Sequence, residues 1–153
     1  MARRLPWPTS VAELAHRLAH PDRRRLVDAA TLAAAAGRDP ELFAALVRLL
    51  AHPRAVVSMR AADAIEKASR LAPRRLWPHR RALLRLLPHA EQAELRWHLA
   101  QMLPRLPLAA AERRRCLGVL ESWLASESRI ARVEALEALV RLAGPDPRWV
   151  RRG

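Results

Sequence analysis

Tyrosine is absent from this chain, phenylalanine occurs once, and aromatic residues make up only 4% of its 153 residues. Four glycines leave almost no material for a phosphate-cradling loop. No run alternates β-branched and polar residues over a strand's length, so no sheet is expected. Cys116 is the single cysteine, which excludes an intrachain disulfide. Inside an arginine-rich helical segment it reads as a packed small residue rather than a nucleophile. No G-x-S-x-G, H-E-x-x-H or C-x-x-C motif occurs. His16 and His20 have the spacing of two metal ligands on one helix, but no nearby acid or cysteine completes a set. The chain therefore reads as a non-enzyme with no metal and no cofactor. It also lacks a stretch of about 18 uncharged apolar residues, and its start lacks the apolar core of a secretion signal. A cytoplasmic protein with no membrane partner is expected.

What the chain does hold is alanine, leucine and arginine. Hydrophobic residues make up 51% of it, and the 12 prolines fall mostly between periodic segments rather than within them. Such a composition favours helices. The formal net charge of +13 comes from 28 basic and 15 acidic residues, and every cation except Lys67 is an arginine. That excess draws polyanions non-specifically. Residues 73 to 108 carry five more arginines than acids.

A repeat decides the architecture. Leu18-Ala19-His20-Pro21 recurs as Leu50-Ala51-His52-Pro53, with degenerate copies at Leu87-Pro88-His89-Ala90 and Leu124-Ala125-Ser126-Glu127. After each turn comes a helical pattern whose inward positions align. They are Ala29, Ala30, Leu32 and Ala33; Val57, Ala61, Ala62, Ala64 and Ile65; Leu95, Leu99, Ala100, Met102 and Leu103; and Ala131, Ala135, Leu136, Ala138 and Leu139. Successive copies are offset by 32, 38 and 36 residues, and each set lies on one helical face. The periodicity predicts helices over 10–20, 22–36, 40–51, 54–71, 78–87, 91–106, 109–125 and 128–143. Ser10 with Glu13 reads as a capping box, and Asp39-Pro40 as an N-cap followed by a first-turn proline. Gly37 and Gly144 read as stop signals, and Pro104 as a kink or an end.

An A helix, a tight proline turn and a B helix reading roughly V-R-x-x-A-A-x-A-L resemble the HEAT repeat. Arg96 and Arg132 match the family's B-helix arginine, while Ser58 and Leu26 depart from it. The resemblance covers about residues 10 to 143. It implies an all-α fold: a right-handed α-solenoid, or α-α superhelix, of about four HEAT-like helix pairs at about 10–36, 39–71, 77–106 and 107–143. Residues 1–9 are then an N-terminal arm. Residues 144–153 are a C-terminal cap or a truncated fifth repeat, because Gly144-Pro145-Asp146-Pro147-Arg148-Trp149-Val150 echoes Gly37-Arg38-Asp39-Pro40-Glu41-Leu42-Phe43. Trp149 and Val150 would fold back over the last pair, and the protein would be a monomer or self-associate weakly.

In the HEAT family the B helices line the concave side. Outward rows of those helices here are Asp28, Arg60, His98 and Glu134; Thr31, Asp63, Gln101 and Glu137; and Ala35, Lys67, Arg105 and Arg141. The signs alternate, whereas a nucleic-acid groove presents mostly cations. The face therefore suits a protein segment, with Met59, Trp97 and Val133 as apolar anchors beside Arg60, Asp63, His98, Gln101, Arg105 and Glu134. Packing of Trp97 on the next helix is the plainer alternative.

A second possibility is nucleic acid on an arginine ridge at the A-to-B turns, formed by Arg23, Arg24, Arg25, Arg54 and Arg129 at helix N-termini. A third is a catalytic resemblance to HEAT-like alkylpurine DNA glycosylases, which are also basic all-α superhelices. Their site resembles a tryptophan followed one turn later by an aspartate. Here Trp97 is followed by Gln101, which supplies no carboxylate for a developing cation. The expected function is a non-enzymatic adaptor.

Overall fold

The computed structural model describes residues 7–20 and 29–144. Those residues are all-helical with no strand, as their composition predicts. Among the described residues eight α-helices follow one another: α1 (Val11–Leu18), α2 (Ala29–Arg38), α3 (Pro40–Leu49), α4 (Ala55–Leu71), α5 (Arg80–Leu86), α6 (Ala93–Met102), α7 (Ala110–Trp123) and α8 (Arg129–Ala143).

The helix ends follow local chemistry. Asp39 caps α3 by accepting from the N–H groups of Glu41 at 3.0 Å and Leu42 at 3.3 Å, with Pro40 in the first turn. Ser10 Oγ accepts from Glu13 N–H at 3.5 Å, and Ser128 Oγ from Ala131 N–H at 3.3 Å. Each satisfies a donor that the helix start leaves unpaired. Gly144 ends α8 at φ 61°, a backbone conformation glycine adopts without steric cost. Gly37 does not stop α2, which runs to Arg38 and gives way to the Asp39 cap of α3.

Proline shapes the middle of the chain. The helix expected over 78–87 is α5 alone, preceded by a 3-10 segment at Pro73–His79 that holds Pro78. Pro104 ends α6 at Met102 and leaves one 3-10 turn at Leu103–Arg105. A proline removes an N–H and clashes with the preceding turn, so tighter turns take over.

The even-numbered helices pack side by side in series, α2 on α4, α4 on α6 and α6 on α8, while α3 lies on α4 and α7 on α8. Alanines make close approach possible: Ala61, Ala62, Ala100, Ala131 and Ala135 are fully buried. Larger side chains such as Phe43, Leu46, Ile65, Leu76, Leu83 and Met102 fill the space between layers. Leu136 departs from its inward assignment and is 55% exposed. The residues aligned with it, Ala62 and Ala100, are covered by the following helix, whereas among the described residues nothing follows α8.

The closing bonds of the turns repeat. Arg96 Nε donates to the Ala90 carbonyl at 2.7 Å, and Arg132 donates to the Ser126 carbonyl at 2.7 Å. Ser58, at the aligned position in α4, donates from Oγ to the Leu50 carbonyl at 2.8 Å. Three side chains at one register position thus tie the start of an even helix to the turn before it.

Candidate functional site

Two grooves meet on the face formed by the even helices. The first is about 180 Å³ in volume and lies between α4, α6 and α8, where Glu66, Arg70, Gln101, Arg105, Glu134, Glu137 and Arg141 line it beside Ala100, Pro104 and Ala138. The second, about 570 Å³, lies between α2 and the end of α4. Its wall is mostly apolar, made by Ala30, Ala33, Ala34, Gly37 and Leu71, with the cations Arg38, Lys67 and Arg70 also on it. Leu71 is 91% exposed, and Arg70 borders both grooves.

Glu66 is the buried centre of the first groove, 1% exposed. It receives Arg105 Nη2 at 2.9 Å and Arg70 Nε at 2.6 Å, while Arg105 Nη1 donates to the Glu66 carbonyl at 2.9 Å and Ser69 Oγ at 2.7 Å. Burial alone pushes the Glu66 carboxyl up, but the hydrogen bonds from Arg70 and Arg105 outweigh it and hold the group below its ordinary value. A buried carboxylate with two guanidinium forks stays ionised and locks α6 to α4.

Further along the face, Lys67 pairs with Asp63 at 2.8 Å and Arg141 with Glu137 at 2.6 Å. His98 is buried; its Nδ1 lies 3.3 Å from Gln101 Oε1 and its Nε2 3.9 Å from Asp63. Burial pulls the imidazole below the ordinary histidine value, with Asp63 and Gln101 opposing.

The expected site residues divide between these surroundings. Gln101, Arg105 and Glu134 come together in the first groove, and Asp63 and His98 form a contact pair beside it. Arg60 turns away to cap α1, donating to the carbonyls of Leu18 and, at 2.9 Å, His20. Trp97 is half-buried, edge-on to His98 with ring centres 5.5 Å apart, and lines neither groove; Met59 is also half-buried. Val133 is 53% exposed on α8.

Of the arginine ridge, Arg23, Arg24 and Arg25 lie outside the described residues, as do Trp149 and Val150. Arg54 and Arg129 are exposed at the starts of α4 and α8. Glu66 and Arg70 were not among the expected site residues. Their signal was a single acid in a column otherwise filled by Ala34, Pro104 and Val140, with Arg70 one turn on and Arg105 beside the aligned Pro104.

Cys116 is fully buried, and burial pushes its thiol up to about 11, so it is not a thiolate near neutrality. Among the described residues, no group of three His, Cys, Asp or Glu side chains is placed to hold a metal ion, and no helix is long and apolar enough to cross a membrane.

No protein-family model and no curated protein matches the sequence. A solved structure of an engineered protein is similar in fold, with a TM-score of 0.57 and 22% identity over 90% of this chain. This chain spans 64% of that one. The likeness supports the all-helical fold and says nothing of function.

Proposed function

We propose that the chain is a non-enzymatic adaptor of HEAT-like helix pairs that holds a segment of a partner protein along the face of α2, α4, α6 and α8. The single observation that carries this reading is the meeting of the two grooves at Arg70. A segment lying across it finds an alanine-walled trough for apolar side chains and, beside it, charges of both signs, most of them fixed by ion pairs, with Glu134 left without one among the described residues. Fixed, mixed charges favour a specific register over general polyanion attraction, and the apolar trough supplies the burial that affinity needs. A nucleic-acid site on this face would leave Glu134 and Glu137 facing phosphates.

The alternation of A and B helices, the offset of the repeats and the packing of α2, α4, α6 and α8 in series support the HEAT-like description. The test is affinity capture from nuclease-treated native lysate on immobilised protein, comparing the wild type with Glu134→Arg/Glu137→Arg. A discrete protein retained by the wild type and lost from the variant supports the adaptor reading. Equal recovery on both, with the same melting temperature, removes the groove from it.

A further inference from the structure

The even-helix face uses Arg60, Arg70, Arg105 and Arg141 internally, whereas three of the five arginines around α5 are left without such partners among the described residues. From Pro73 to Ala90 the sequence has five arginines and no acid. Arg75 donates from Nε to the Gly37 carbonyl at 3.0 Å, and Arg80 reaches Glu112 at 3.3 Å and the Pro107 carbonyl at 3.0 Å. Arg74, Arg81 and Arg85 are exposed, and none of them makes an ion pair or hydrogen bond to a described residue. Arg81 and Arg85 are one helical turn apart on the outer side of α5, opposite the buried Leu83 and Leu84.

Two further features lie beside these arginines. Trp77 is 43% exposed, and its ring is held in place: its indole N–H donates to the Arg105 carbonyl at 3.0 Å, and the Arg74 guanidinium sits 5.4 Å from its centre. Arg85 also borders a groove of about 420 Å³ that runs between α5 and α3. Val47, Leu50, Ala82 and Leu86 make its floor, Arg48, Arg85 and His89 its rim, and no acid lines it.

We infer that this surface, from Arg74 and Trp77 across Arg81 and Arg85 into the α3–α5 groove, binds single-stranded nucleic acid. Unpaired guanidinium forks suit phosphates, a fixed indole offers a stacking platform, and an apolar trough with a cationic rim takes bases while the rim follows the backbone. An anionic membrane is the poorer fit, because Trp77 is the one large apolar side chain exposed on the 73–89 stretch and nothing beside it would enter a bilayer. This surface shares no lining residue with the protein-binding grooves, and the inference stands or falls without them.

The experiment is fluorescence anisotropy of a labelled short oligothymidylate over a salt series, with thermal melts of every variant. The wild type binds, and tightness falls steeply with salt. Arg81→Glu/Arg85→Glu lowers affinity at least tenfold, while Arg113→Glu/Arg114→Glu, an equal change of charge on α7, lowers it much less. Trp77→Ala, which leaves the charge unchanged, lowers affinity about fivefold or more, and Trp77→Phe restores most of it. The proposal is overturned if the two charge reversals have equal effects, or if Trp77→Phe loses as much as Trp77→Ala, since the indole would then be a structural hydrogen-bond donor. Tighter binding of duplex than single strand overturns it, as does Trp77-dependent binding to phosphatidylserine vesicles without binding to the oligonucleotide.

Discussion

Arginine does opposite work on the two faces of this molecule. On the even-helix face, Arg105 is clamped to a buried carboxylate, Arg60 caps α1, and Arg96 and Arg132 close turns. On α5, Arg81 and Arg85 stand in solvent. A guanidinium whose fork is filled by carbonyls or a carboxylate has little left to offer a ligand, so a net charge of +13 overstates what the protein presents to a polyanion. The useful count is of forks left open, and these stand around α5, at Arg74, Arg81 and Arg85, and along α7, at Arg113 to Arg115; only the α5 set lies beside an exposed tryptophan and an apolar groove.

If that division holds, the largest effect on stability comes from the buried end of it. Glu66→Ala leaves Arg105 without its counter-charge and is expected to cost about 3 kcal/mol in urea unfolding, because breaking a buried pair from one side strands the other charge. Ser58→Ala removes the donor to the Leu50 carbonyl inside the core and is expected to cost about 1 to 2 kcal/mol by the same measurement. Stability should also fall as pH drops below the ordinary histidine value of 6.5, since burial favours neutral His98 and His79 in the folded chain and the unfolded chain takes up the protons more readily. Replacing His98 with Gln flattens that dependence, followed as melting temperature against pH. A second decline begins below about pH 4.5, where the unfolded chain takes up a proton that folded Glu66 still refuses, and it is complete only at the lower pH where Glu66 itself is protonated. The smallest effect is expected from Arg81→Glu/Arg85→Glu, which should change unfolding free energy by less than about 0.5 kcal/mol because neither side chain is tied to the fold.

The helices were legible in the sequence because alanine and leucine recur with helical spacing between prolines and capping residues, and the turns announced themselves through Leu-Ala-His-Pro and its variants. The third pair was less legible. Its periodicity gave a helix over 78–87, but Pro73, Pro78 and Pro88 tighten the backbone around α5. Gly37 looked like a stop because glycine is often found after a helix end, yet here Asp39 supplies the boundary. The aligned rows found Gln101, Arg105 and Glu134, which do meet in one groove. They did not separate a side chain that lines a groove from one that does not, which is why Arg60, bound to the Leu18 and His20 carbonyls, and Trp97, edge-on to His98, stood beside them. That distinction depends on distances between repeats, and no pattern within one helix carries it. Glu66 was hidden for the same reason: its partner Arg105 lies 39 residues on.

The most direct test measures both faces in parallel, with protein captured from nuclease-treated lysate and oligothymidylate binding, each on the wild type, Glu134→Arg/Glu137→Arg and Arg81→Glu/Arg85→Glu. The division of faces predicts a crossed result: the groove variant loses the captured protein and keeps the oligonucleotide, and the α5 variant does the reverse. If either variant, folded as judged by its melting temperature, loses both partners together, the two faces are not separate and the account is contradicted.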